Sequence, residues 1–277
     1  MYQYILYAYI SGKPLGVLRD DCLTYIPQAF DLRLDTIAAF QRVCFDAILK
    51  CIGEGEESSP HVNFDRASIS EMTSTSTSFG SDSPLELLLY GVLKLQIHVI
   101  FNEFDTAGDL AVIQGETFSK ESPGNPLSMM TTFYSSFALF GKASLFACSK
   151  SNARKLVKLA KKKHLIIKDW VKKENPNVVH SDACLDAEYA RYNGRLADAG
   201  KYYQKAITLA ARGGFLQDAG LISERYSSFL SDTCDPPQEK DALFHLDRAI
   251  EFYRNWGSTK KVKMLMEARM YQEATSY

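Results

Sequence analysis

The chain has 277 residues, 46% of them hydrophobic and 23% charged, and its 32 basic and 33 acidic side chains leave a formal charge of −1. That composition excludes a disordered chain, and the charge balance excludes a global field that would draw the protein to nucleic acid or to an anionic membrane. The length accommodates one or two domains, or one long solenoid, around a sizeable core.

Residues 1–10 read as a helix already under way, because no capping residue precedes the helical spacing of Tyr2, Ile5, Leu6 and Tyr9. A helix entered in mid-course predicts that the chain is a piece of something longer. The same stretch lacks a basic leader region and a small-x-small cleavage site, which argues against secretion. Ser11-Gly12-Lys13-Pro14 stops this helix and starts the next. Windows 15–29 and 32–52 come next as helices, the second with a stripe of Leu34, Ile37, Phe40, Val43, Cys44, Ile48 and Cys51. Residues 54–83 are rich in Ser and Thr and have no periodicity, so they read as a mobile insertion, either a plain solvated loop or a phosphorylation target.

Helical windows resume at 84–103 and 106–119, joined by Phe104-Asp105. After the turn at 122–126, residues 127–147 form a helix apolar almost all round, expected at the centre of the stack. No stretch approaches the roughly 20 apolar residues of a spanning helix, so no membrane insertion is expected. In 151–174, Ala153, Leu156, Val157, Ala160, His164, Ile167, Trp170 and Val171 share one stripe, and Arg154, Lys158, Lys161, Lys162, Lys168 and Lys172 cover the opposite side. This basic face is either a solvated surface or a dock for an acidic partner or for phosphate; without interleaved aromatics it does not read as a nucleic-acid site. His164, on the apolar stripe, reads as a packed, hydrogen-bonded histidine.

The clearest pattern lies in 185–262. A small residue, an aromatic or Leu four positions on, and a small residue three further occur at Ala199/Tyr203/Ala206 and again at Ala242/Leu246/Ala249. Those spacings place three side chains on one stripe, with alanines where a partner helix comes close. Gly194, Gly213-Gly214 and Trp256-Gly257-Ser258 punctuate the helices, and a final helix begins after Ser258. This is the grammar of a tetratricopeptide-like helical hairpin. Ala199, Tyr203, Ala206, Ala242, Leu246, Ala249, Trp170, Trp256 and Gly257 read as repeat-packing positions rather than ligand contacts.

Motifs for chemistry are sparse. Gly12-Lys13 lacks the glycine spacing and hydroxyl residue of a phosphate loop, and Gly53-Glu54-Gly55 is no dinucleotide fingerprint. His180 and Cys184, with Asp182 nearby, sit at metal-ligand spacing, but two ligands do not make a site. Serine-hydrolase, metalloprotease and kinase signatures are absent, and Glu188, Asp198 and Asp218 read as scattered helix carboxylates. Cys22, Cys44, Cys51, Cys148, Cys184 and Cys234 include no CxxC pair and read as reduced core residues of a cytoplasmic protein. No catalytic residue, cofactor or metal is expected.

From residue 4 to about 270 the chain resembles the tetratricopeptide-like helical region of large signalling proteins. In these, a serine/threonine-kinase-like domain and a STAND-type (AAA-like) predicted ATPase precede that region, and a GAF domain and a sensor or hybrid histidine kinase come after it. The resemblance is carried by Ser11-Gly12-Lys13-Pro14-Leu15, the Lys-rich helix ending at Trp170, and Ala187-Glu188-Tyr189-Ala190-Arg191 with Gly194. It continues through Tyr203-Gln204-Lys205-Ala206-Ile207, Gly214-Phe215 with Asp218-Ala219, and Glu224. Ala249, Tyr253 and the closing run Trp256-Gly257-Ser258-Thr259-Lys260-Lys261-Val262 complete it. The last repeats stand 43 residues apart (Ala199 to Ala242), against about 34 in a regular array.

The resemblance implies a linker and sensor scaffold between an ATPase switch and an output domain, without the catalytic domains themselves. The expectation is therefore an all-α, tetratricopeptide-like superhelix (α-solenoid) of about twelve helices. Repeats at 1–53 and 84–277 would form one continuous solenoid, interrupted by the insertion at 54–83. It would act as a non-catalytic protein-interaction and signal-relay scaffold, bound to a protein partner or to adjacent domains in cis. The alternative is a small-molecule sensor with a pocket lined by the helix at 127–147.

Overall fold

The computed structural model describes residues 2–54, 84–114 and 125–275. Apart from Glu54, the Ser/Thr-rich insertion lies outside the described residues, as do the end of the window at 106–119 and most of the turn at 122–126. The described residues hold twelve α-helices and no strand: α1 (Tyr2–Ile10), α2 (Leu15–Asp31), α3 (Asp35–Ile52), α4 (Pro84–Ile100), α5 (Phe104–Ile113), α6 (Pro126–Ala143), α7 (Lys150–Lys172), α8 (Val179–Tyr192), α9 (Leu196–Arg212), α10 (Leu216–Asp232), α11 (Glu239–Trp256) and α12 (Thr259–Thr275). A 3-10 turn at Pro176–Val178 leads into α8. None of the described helices is long and apolar enough to cross a membrane.

Sequential neighbours make the most extensive contacts: α5 with α6, α6 with α7, α8 with α9, and α10 with α11. The alanines allow this closeness. Ala199, Ala206 and Ala249 are wholly buried, Ala242 and Leu246 nearly so, and Tyr203 between them stacks on Tyr226 with ring centroids 5.3 Å apart. Trp170 is only half-buried, at the edge of the core. Helix α6 is buried at all but three of its 18 positions and touches α1, α4, α5, α7 and α8, which puts it at the centre as its composition predicts. It stops at Ala143, short of the expected 147, and Phe146 beyond it is fully exposed. Likewise, the α4–α5 turn falls at 101–103, where Asn102 adopts positive φ, and Phe104 already belongs to the second helix.

Contacts between distant parts of the sequence close the stack. Helix α12 packs on α3, and the Tyr9 and Trp256 rings, both buried, meet at 5.9 Å. Ser258 Oγ donates to the carbonyl of Cys51 at 3.0 Å, and the Thr259 hydroxyl donates to that of Ile52. The start of α12 thus caps the carbonyls that α3 leaves unpaired at its C-terminus. Gly257, at φ +94°, ends α11 and lies against Leu15 and Gly16. At Gly12 a Cβ would fall 2.4 Å from the carbonyl oxygen of Gly214 and 2.9 Å from the nitrogen of Leu216, so the α1–α2 turn approaches the α9–α10 turn as only glycine permits. The runs at 11–15 and 256–262, which stand at opposite ends of the sequence, therefore share one seam.

Helix α10 carries two buried carboxylates, Asp218 and Glu224, and the largely covered Arg225. Arg225 donates two bonds of 2.9 Å to the Glu188 carboxylate, which also accepts from the Tyr203 hydroxyl. Glu224 accepts from Lys261 at 2.8 Å, from Asn102 at 2.6 Å and from Tyr253 at 3.4 Å; Lys261 has no exposed surface. Burial works against the ionised Glu188, but the Arg225 guanidinium, Arg191 and the Tyr203 hydroxyl hold its carboxyl below the ordinary value.

This packing makes stability sensitive to one buried acid and one buried base. Glu188→Gln leaves the Arg225 guanidinium buried without its counter-charge, and is expected to cost about 3–5 kcal/mol, read from the denaturant midpoint. The Glu188 contribution is present above the unfolded value of about 4.3 and is lost as pH falls through the lower folded value. The base is His245, which packs 4.4 Å from Tyr226 and is pushed down to about 4 by burial, with Arg248 adding to the effect. The unfolded imidazole takes its proton near pH 6.5, so the stability tied to a neutral His245 is complete above about pH 6.5 and is lost progressively as pH falls toward 4. Denaturation of His245→Phe between pH 4 and 7 is expected to show a slope shallower than wild type by up to about 1.4 kcal/mol per pH unit.

Candidate functional site

The sequence-predicted positions separate into two groups. Of the positions read as repeat packing, Ala199, Tyr203, Ala206, Ala242, Leu246, Ala249 and Trp256 are buried, Gly257 is half-buried, and Trp170 lies at the core edge. The basic face on α7 is engaged in part by its neighbours. Arg154, Lys158, Lys161, Lys162 and Lys172 are exposed, but Lys161 donates to the Tyr189 hydroxyl at 3.0 Å. Lys168 lies 3.0 Å from Asp182 and 2.9 Å from Asp186 of α8. Packing of α8 along this flank supplies the partners. His164, buried as expected, faces Asp182 at 2.8 Å. Nitrogen and oxygen atoms of His164, Asp182 and Asp186 lie within 4.8 Å of one another, with the Lys168 ammonium as the cation on both carboxylates. His164 and Lys168 together hold Asp182 below the ordinary carboxylate value against the opposing effect of burial.

His180, Asp182 and Cys184, which sit at metal-ligand spacing, do not together form a three-ligand cluster among the described residues. His180 Nε2 instead lies 2.9 Å from the Asp218 carboxylate of α10, and burial pushes the Cys184 thiol well above the ordinary range. Nor are Glu188 and Asp218 isolated, as their spacing implied. Glu188 is paired with Arg225, and Asp218 accepts from both His180 and the Tyr134 hydroxyl of α6. Asp198 remains on the surface beside Arg195.

Asp218 forms part of a cavity of about 180 Å³ where α1, α4, α6, α8 and α10 meet. Met129, Met130 and Phe133 from α6, and Phe215, which stacks on His180 at 4.5 Å, supply its apolar wall. Exposed Tyr7 and Asn177 mark the mouth, and buried Gln96, Tyr134, His180 and Asp218 the floor. Burial, with the Asp218 carboxylate beside it, pushes the Tyr134 hydroxyl well above the usual phenol range. The Tyr134 hydroxyl therefore stays protonated, donates to Asp218, and accepts from Gln96 Nε2 at 3.0 Å.

Ser181, His180 and Asp218 are the residue types of a nucleophilic triad, but their geometry is different. Ser181 Oγ and Asp218 Oδ2 both face the same ring nitrogen, at 3.3 and 2.9 Å. A triad needs the carboxylate on one nitrogen and the hydroxyl on the other, so that the imidazole can accept the hydroxyl proton. What the arrangement can do is present polar groups, held rigidly by their own partners, to a small molecule.

Tyr134→Phe removes one donor to Asp218 and the acceptor for Gln96 together. Thermal denaturation is expected to show a loss of about 1–3 kcal/mol, more than for a surface Tyr→Phe control. No family model, no curated protein and no solved structure matches the chain.

Proposed function

We propose that this chain is a non-catalytic helical relay module, built of tetratricopeptide-like hairpins, that couples a domain joined in cis at α1 to one joined at α12. The observation that carries this reading is the seam. The α1–α2 turn rests on the α9–α10 turn through Gly12 and Gly214, Gln217 Nε2 donates to the Ile10 carbonyl at 2.7 Å, and Ser258 caps α3. A rigid shift of α1 therefore reaches α10 and α12 through direct contacts, without passing through every intervening hairpin. The exposed lysines of α7 give an acidic protein partner a place to act on the same body.

A second reading, that of a small-molecule sensor, is favoured by the cavity. It lies on the α1–α10 side of the seam, so an occupant touching both helices would bias the same contacts.

Gly12→Ala tests the coupling, because its Cβ would strike backbone atoms that cannot swing aside. Amide hydrogen exchange measured by mass spectrometry is expected to quicken in α12 and the last turn of α3 as well as beside the substitution, with α7 unchanged. Quickening confined to the α1–α2 and α9–α10 turns would break the reading, since the two ends would then respond independently.

A further inference from the structure

We infer that the cavity takes a compact organic cation: a primary amine or amidine on a single aromatic ring or an aliphatic body of similar size. This rests on the reading of the cavity as a ligand site. Size sets the first limit, because a cavity of about 150 Å³ holds a benzene-sized molecule, and this one measures about 180 Å³.

Polarity sets the second. Gln96 is 1% exposed, and its amide orientation is forced: the Tyr134 hydroxyl has committed its proton to Asp218, so only the Gln96 NH2 group can face it. The Gln96 carbonyl oxygen is thereby left as a buried acceptor to which no described protein group donates. Gln217, 2% exposed, is fixed in the same way, because its NH2 group donates to the Ile10 carbonyl, but its carbonyl oxygen packs against Gly12 in the seam, which leaves Gln96 as the acceptor the argument rests on. A buried acceptor without a donor is costly, and a ligand carrying N–H groups relieves that cost.

Charge sets the third. Neither lysine nor arginine is among the described residues that line the cavity, and Asp218 contributes a carboxylate. The aromatic faces and the thioethers of Met129 and Met130 favour a soft cation over an anion.

Isothermal titration calorimetry of the full chain with phenethylamine, benzamidine, phenylacetate and ethylbenzene separates the possibilities, with 13C-methyl shifts of Met129 and Met130 locating the site. The two cations are expected to bind about tenfold or more tighter than the anionic and apolar analogues, as a charge-assisted hydrogen bond implies. Gln96→Met, close in volume, is expected to remove most of that preference while keeping ethylbenzene binding; should the variant not fold, the wild-type panel decides alone. If phenylacetate or ethylbenzene binds as tightly as the amines, the cation assignment fails and the ligand site stands. If none of the four perturbs the methionine methyls, both fail.

Discussion

Helix α10 cannot be buried unless its charges are met, and the rest of the molecule is arranged to meet them. Asp218, Glu224 and Arg225 lie within eight residues of one another on a helix most of whose positions are inaccessible. An unpaired charge in such a place would cost several kcal/mol, a large part of the stability of a whole domain. Each charge is answered from a different direction. Asp218 draws on α6 and α8, Glu224 on the α4–α5 turn, α11 and α12, and Arg225 on α8. Apolar packing brings these helices together without specifying register, since many slid arrangements bury similar area. The buried pairs tolerate few of them.

The same requirement accounts for residues that look arbitrary in isolation. Lys261 is buried because Glu224 is, and Asn102 takes a left-handed turn with its amide on that carboxylate. The run at 256–262 serves three purposes in succession: Trp256 meets Tyr9, Ser258 and Thr259 cap α3, and Lys261 neutralises Glu224. Polar satisfaction and apolar burial coincide along this strip.

Local features of the structure are readable from spacing alone. The helices, their glycine stops, the central position of α6, the alanine stripes and the buried His164 all depend on neighbours within a few residues. The cavity floor is not readable in this way, because its parts come from helices whose juxtaposition no local period encodes. Tyr134 and Asp218 are 84 residues apart, and His180 and Asp218 are 38. For the same reason Glu188 and Asp218 read as scattered carboxylates, and spacing pairs His180 with Cys184 on its own helix instead of with Asp218 on another. One hint is present: a charged residue in a window otherwise destined for burial, as at Glu224-Arg225, implies a partner elsewhere. Lys168 misleads in the opposite sense, since a helical wheel shows which face is basic but not that a neighbouring helix brings two aspartates to its edge.

The capping of α3 by Ser258 joins residues 207 positions apart. On a ribosome adding about 5–20 residues per second, roughly 10–40 s separate the appearance of Cys51 from that of its cap. Throughout that interval Tyr9 lacks Trp256, the last carbonyls of α3 lack their donors, and the face of α3 that will receive α12 is uncovered. Helices α1–α3 are thus born as a surface awaiting α12, and during synthesis that surface is open to chaperones, or to a neighbouring copy still being made.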